Sequence, residues 1–422
     1  MKLLRKIFTA FIGISGLLLM LWFILPSVYA SYTYVPVAIY SAAVSLFVIF
    51  IDRKHFFNYV KVFLPCFIIA FLYFIVPYRF TLKPAVNIFQ QLLIFTVPLV
   101  LSALFIGFDE NDKFYRRFYK LSAVFLVGCM VLVYVRTMSA LAVDPTVCRL
   151  LAIGTYSTYR AEEVAALRMS NVGGFGFSYA MGIIEVFTFY NSVTQKRAKR
   201  AVFIILTLAI LAFVIKSQYL TLLLLCIVIN LLICLRFTKS DLARVIIIFV
   251  TALIVIFSSF ITRGLSYLIS GEKLSEKMYA ISGLLGGDGY TSWRLDYIKD
   301  ALTSFSRHIF FGQPDLINDH EAIRASENSH STQLKILVDI GIFGSVAYNV
   351  FLFGLRKFMI RLINRSEQNP EVFNMIFWFL YLLSWLNPVF QIYEIPFAIF
   401  LVVPMLICIG NYENKNRKKK LG

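Results

Sequence analysis

Apolar residues run in blocks of helical length along almost the whole chain, and the polar residues between them come mostly in short clusters. Twelve blocks are predicted to be helices: about 7–29, 32–51, 57–77, 85–107, 121–143, 173–193, 201–215, 219–235, 244–262, 336–355, 372–388 and 392–411. A bilayer core of about 30 Å takes some 20 residues at ~1.5 Å each, and most blocks reach that length. The block 201–215 is short for a full crossing. Only Lys216-Ser217-Gln218 separates it from the next block, so the protein must hold that tight turn. Two interruptions are long, 144–172 and 263–335, where short connections are the norm. Inside the second, Trp293, Tyr297, Ala301, Phe305 and Ile309 recur every fourth residue, with Ile298 and Leu302 beside them. Arg294, Asp296, Lys299, Asp300 and Arg307 fall largely opposite, so 291–309 is predicted to be an amphipathic helix, lying on the membrane surface or roofing the bundle. The expected architecture is one all-α polytopic integral membrane domain over 1–422.

Composition agrees: 59% of residues are hydrophobic, 15% are charged, and the mean hydropathy is +0.76. A soluble globular chain is excluded on those grounds. The net charge of +18 would suggest nucleic acid if it were clustered on one polar surface. Instead most of the 41 Lys and Arg residues sit in the termini and in alternate short loops, among them Arg53 and Lys54, Lys113 to Lys120, Lys196 to Arg200, and Lys415 to Lys420. By the positive-inside rule those loops and both termini are cytoplasmic, and the two long loops are external. No nucleic-acid partner is expected. The first block has basic residues before it but no small-residue cleavage site after it, so it is read as a span. Five of the six cysteines lie in apolar blocks and only Cys148 in an external loop, which makes them packing residues rather than a disulfide framework.

Chemistry is therefore sought on the external side. Arg136, Arg149, Arg160, Arg168, Lys216, Arg263, Arg294, Arg307 and Arg324 lie there against the inside bias. Singly such residues are solvated loop charges or headgroup contacts; converging on one cavity, their guanidinium forks suit a phosphate. Asp319-His320-Glu321 is too contiguous to converge on one ion, and no Asp-x-Asp pair is present, so no metal and no cofactor is expected. Two acids stand out: Glu185 inside the sixth block, and Glu394 at the turn between the last two. Each is read either as a buried partner of a basic residue or, for Glu394, as a group that orients an acceptor sugar or holds a cation such as His330. His330 closes the longest polar loop. On a continuous helix Gly341 lies three turns on, about 16 Å below it on the same face, as a bare groove for a helix or lipid tail. The helix start near Ser329 to Thr332 would then aim its positive dipole end at the external face, where it favours an anion, although Asn328 or Ser329 serves equally as an ordinary cap. His330 is either a structural interfacial histidine or a group that accepts a hydroxyl proton or contacts phosphate.

His330-Ser331 with Gly341 resembles the His-[Asn/Ser/Gln]-x9-Gly signature of the O-antigen polymerase and ligase family of bacterial envelope glycosyltransferases. Ser292-Trp293-Arg294 and Phe310-Phe311-Gly312 are similar to its arginine-bearing loop helix and following turn. Lys216-Ser217-Gln218-Tyr219 stands in the place of a short external basic motif that usually carries arginine. The likeness covers roughly 201–355. It implies an inner-membrane enzyme that moves a glycan from a polyprenyl-pyrophosphate lipid to an acceptor hydroxyl outside that membrane, without nucleotide sugar or metal. It further implies pyrophosphate contacts from Arg294 and external cations such as Arg263, Lys216, Arg160 and Arg168, with His330 as base or phosphate ligand. Membrane lipids and a chain-length regulator protein are the other partners it suggests. A polymerase passes the glycan to the next lipid-linked repeat and a ligase to lipid A–core; the compact external loop and the Val338-Asp339-Ile340-Gly341 stretch favour the polymerase. A lipid-linked oligosaccharide flippase would share the spans and the arginines, but it would place its cations in a central cavity.

Overall fold

The computed structural model describes residues 2–31, 34–51, 53–106, 113–153, 161–256, 293–316, 318, 320, 326 and 331–408. Among them every element is helical. In chain order these are α1 (Lys2–Ile24), α2 (Pro26–Ser31), α3 (Tyr34–Ile51), α4 (Phe56–Ile75), α5 (Leu82–Ile106) and α6 (Lys113–Val143). The first long loop holds the short α7 (Val147–Ile153) and α8 (Ala161–Met169). Then come α9 (Phe175–Thr194), α10 (Arg197–Lys216), α11 (Leu220–Phe237), α12 (Asp241–Ile256), α13 (Trp293–Arg307), α14 (Thr332–Arg365), α15 (Glu371–Leu386) and α16 (Glu394–Cys408). Each apolar block thus carries a helix. Among the described residues six helical runs are long and apolar enough to cross a membrane, and four more apolar helices are shorter. The block expected to be short proves to be the 20-residue α10, one of the six.

The bundle is built around α5, in which every residue from Leu92 to Ile106 is buried. A helix apolar on all sides has to be enclosed, and this one is. Its Phe95 packs against Phe351, Phe390 and Phe400, which joins α5 to α14, to the turn after α15 and to α16. In α16 a π-helical turn, Ala398–Val402, loosens the backbone, and the Ser102 hydroxyl of α5 donates to the Phe400 carbonyl there. Peripheral helices turn apolar side chains outward: Phe11 and Leu18 on α1, Ile205 and Leu208 on α10, Val245 and Phe249 on α12. An apolar rim of this extent matches hydrocarbon rather than water.

The amphipathic helix appears as α13. Its Ala301 is buried against Leu334, Leu337 and Val338 of α14, while Ile298 and Leu302 remain exposed.

The element α14 overturns the continuous helix expected from His330 to Gly341. It begins only at Thr332, with Ser331 as its cap, and its backbone leaves helical geometry at Ile340 (φ −133°, ψ 18°) and Gly341 (φ 64°, ψ −158°). Along a straight helix Gln333 and Asn349 would stand about 24 Å apart. Their side chains instead hydrogen-bond at 3.4 Å. The arm 332–340 therefore doubles back beside the arm that starts at Ile342, with Gly341 at the tip. Two further contacts fix the depth of the returning end. Ser331 Oγ donates to Ser384 O at 3.3 Å, and the Thr332 amide and hydroxyl donate to Asn387 O at 3.3 and 3.2 Å. Ser384 lies one turn from Tyr381, a ring partner of Phe353. Ser331 thus sits level with the second turn of the descending arm. The helix start points into the bundle, and the arm after the tip, 342–365, is about 36 Å long.

Candidate active site

Gly341 does not leave an open groove. The turn after α13 fills it: Ile342 N donates to Ile309 O at 2.9 Å, Phe343 N to Phe310 O at 3.3 Å, and Gln313 N to Val338 O at 2.9 Å. Breaking the helix strips these groups of their intrahelical partners, and the turn replaces them. The two chains approach so closely that a Cβ on Gly341 would meet backbone atoms of Phe310 and Gly312 at 2.5 Å. A Cβ on Gly312 (φ 77°) would likewise meet the backbone of Asp339 and Ile340 at 2.5 Å. Two glycines noted separately in the sequence therefore form one contact, each serving both positive φ and close approach. A second strap comes from the α4–α5 turn, where Arg79 pairs with Asp315 at 3.0 Å and Leu316 N donates to Pro77 O at 2.9 Å.

Around the buried end of the returning arm the chain is polar. Ser331, Thr332, Gln333, Ser384 and Asn387 are all buried. Gln333 Nε2 donates to Ser384 Oγ at 3.3 Å, and Val389 N donates to Thr332 Oγ1 at 2.7 Å across the Asn387-Pro388 break. Asn387 Nδ2 reaches the Tyr179 hydroxyl of α9 at 3.0 Å. Tyr179 belongs to an aromatic group with Phe175 and Tyr219. Tyr219 donates to Cys148 O at 2.7 Å, which ties the α10–α11 turn to α7 as the sequence requires of so tight a turn. Burial pushes the Cys148 thiol up to about 12, in keeping with a packing role.

The expected site residues distribute as follows. Glu394 opens α16 against α9, where a Cβ on Gly176 would overlap its carboxylate. Arg168, at the end of α8, approaches Glu394 through Tyr29, which packs on Trp22 and so beside Tyr393. Its guanidinium lies 5.7 Å from the Tyr29 ring centre and donates to Leu151 O at 3.5 Å. Lys216 ends α10 on the surface, a position that also suits a helix C-terminus. Arg294 lies in the first turn of α13, with only its backbone described. His330, Arg263 and Arg160 fall outside the described residues; Ser331 is the described neighbour of His330. The structure brings Ser331, Tyr179, Tyr219, Glu394 and Arg168 to one end of the bundle through the contacts above.

Sequence reasoning gave Asp339, Lys335 and Tyr73 no place in the site. Asp339 is fully buried, and its Oδ2 accepts from the Tyr73 hydroxyl at 2.7 Å and stands 3.5 Å from Lys335 Nζ. A lone acid between Val338 and Ile340 was the available signal. Among the described residues no group of three or more His, Cys, Asp or Glu side chains is placed to hold a metal.

A helical bundle with an apolar rim is suited to a membrane, and its doubled-back helix and buried polar groups at one end mark a candidate site at broken helices. Residues 201–348 match the protein family described as O-antigen ligase, a stretch that takes in α10 to α13, His330-Ser331 and the tip at Gly341. Over that stretch the chain is similar to a family whose members are glycosyltransferase-like enzymes. No curated protein matches the chain.

Proposed function

We propose that the protein is an O-antigen polymerase of the bacterial inner membrane. It joins polyprenyl-pyrophosphate-linked oligosaccharide repeats on the periplasmic face, without metal or nucleotide sugar. The observation that carries this reading is the family match across His330-Ser331 and Gly341, combined with the Gly312–Gly341 contact that links the two sequence motifs in space.

In this reaction the acceptor sugar hydroxyl attacks the anomeric carbon of the donor glycan. The new glycosidic bond forms as the bond to the pyrophosphate oxygen breaks, and polyprenyl pyrophosphate leaves with the electron pair. The hydroxyl proton passes to a base, the role given to His330. Arg294, with Arg263, Arg160, Arg168 and Lys216, would neutralise the pyrophosphate, and Glu394 would orient the acceptor. Such a leaving group is already activated, so the protein supplies chiefly positioning and charge.

A twelve-crossing topology with both termini cytoplasmic is supported by how the long-range contacts sort. Arg361 with Asn58, Arg356 with Asn374, and Glu371 with Arg236 and Tyr190 all join segments assigned inside. Ser27 with Asn171, Arg79 with Asp315, Tyr219 with Cys148, and Thr332 with Asn387 join segments assigned outside.

The test is reconstitution with the lipid-pyrophosphate repeat unit in EDTA. A ladder of longer glycans, reduced about 100-fold or more in His330→Ala, is expected. Full transfer by folded His330→Ala would remove the histidine from the mechanism. The family's description as O-antigen ligase favours one second reading, transfer to lipid A–core. A product formed only when lipid A–core is added would select it.

A further inference from the structure

Three side chains on the returning arm of α14 each grip a different neighbour. Gln333 bonds Ser384 of α15 and Asn349 of the descending arm. Lys335 donates to Ser326 Oγ of the external loop at 2.8 Å. Asp339, in the last turn before the tip, accepts from Tyr73 of α4, stands within ion-pair distance of Lys335, and leaves its buried Oδ1 without a hydrogen-bond partner. A wholly buried carboxylate with an unserved oxygen is costly to keep, and a hydrophobic residue of similar size would pack at less cost. The arm itself is only nine residues long, too short to be stable as a helix without tertiary contacts. Its position therefore depends on what holds it, and the contacts of Asp339 reach two elements at once: α4 directly, and the external loop through Lys335.

We propose that Asp339, acting with Tyr73 and Lys335, is a positioning residue of the transfer reaction: it locks the returning arm of α14 and so fixes the depth of Ser331, the neighbour of the proposed base His330. The proposal rests on the glycosyl-transfer reading above. Asp339 touches no reacting atom; its effect passes along the arm to the cap.

The test uses full-length protein with two independent readouts, amide hydrogen exchange over 332–340 and steady-state transfer per folded enzyme. In Asp339→Asn, exchange in the arm is expected to rise about tenfold relative to α5. At the same time kcat should fall by about 10- to 100-fold with the donor KM within about twofold, because misplacement of a reacting group costs rate rather than uniform binding. Tyr73→Phe should show the same pattern more weakly, and Lys335→Arg should restore what Lys335→Met loses. Should Asp339→Asn fail to fold, Tyr73→Phe and Lys335→Met carry the test. Unchanged exchange in the folded variants overturns the lock. Faster exchange with unchanged kcat overturns the positioning role. A wild-type protein that transfers no glycan with either acceptor overturns the proposed function, and the exchange data then report on the lock alone.

Discussion

The two ends of the bundle are fastened in different ways. At the end that holds Asn58, Tyr190, Arg236, Arg356, Arg361 and Glu371, side chains meet side chains across regular helix termini. At the opposite end α14 doubles back, α15 stops at Asn387-Pro388, and α16 loosens into a π-helical turn soon after its start. There side chains bond one another, as Gln333 does Ser384 and Asn387 does Tyr179, and at the breaks they also bond backbone groups: Ser331 to Ser384 O, Thr332 to Asn387 O, Tyr219 to Cys148 O. Regular helices satisfy their own backbone, so the first end needs contacts only for register. Broken helices inside a membrane protein release polar groups that the protein has to serve, and such breaks persist where they line a site. The contrast gathers the broken helices at the second end, the end at which the proposed reaction is placed.

The contrast would break most visibly at Gly341. Alanine there sets a methyl group against the backbone of Phe310 and Gly312 and forces a non-glycine residue to φ 64°. Neither backbone can yield without moving the tip, so a loss of about 3 kcal/mol or more is expected, from backbone strain and overpacking together. Gly128 in α6 is the control, since a Cβ there meets nothing within 4 Å and alanine favours helix. Thermal unfolding of the purified variants in detergent measures both. Equal melting of Gly341→Ala and wild type would refute the doubled-back arm.

A smaller effect is expected at Gly176, where the atoms nearest the added methyl belong to the end of a flexible side chain, the Glu394 carboxylate. Gly176→Ala should fold and melt near wild type while displacing that carboxylate. If Glu394 orients the acceptor, the acceptor KM rises by about tenfold, and the shorter acid in Gly176→Ala/Glu394→Asp recovers most of the loss. An unchanged KM in the single variant would leave Glu394 with a packing role alone.

Much of this was legible in the residues. Each helix-length apolar block carries a helix, because burial in hydrocarbon and period 3.6 leave the same imprint on a sequence. The four-residue repeat from Trp293 to Ile309 marked α13, and the three-residue gap Lys216-Ser217-Gln218 required the anchoring that Tyr219 and Cys148 supply. The reversal at Gly341 was not legible. Leu334, Leu337, Val338 and the residues beyond the glycine keep one helical pattern on both sides, and a single glycine within such a run is as compatible with a smooth helix as with a sharp turn. What decides the matter is the turn at Phe310–Gln313, some thirty residues earlier in the chain, whose amides and carbonyls take over the broken hydrogen bonds. Asp339 was hidden for the same reason: on a smooth span it reads as an isolated acid, and only the fold brings Tyr73 to it.

The smallest effect is expected at the regular end, from Arg236. Its guanidinium pairs with Glu371 but is largely exposed, and exposed pairs are screened by water and salt. Glu371 does not depend on it, because the carboxylate also accepts from the Tyr190 hydroxyl at 3.2 Å and Asn369 Nδ2 at 3.4 Å, and it lies in the first turn of α15 where the helix dipole favours a negative charge. Arg236→Ala should therefore keep glycan transfer within about twofold of wild type, and what little melting temperature it loses should vanish in high salt. Measuring both in low and high salt checks this. A tenfold loss of transfer from this distant, exposed residue would mean that register at one end controls geometry at the other, and the two ends could no longer be treated as separate devices.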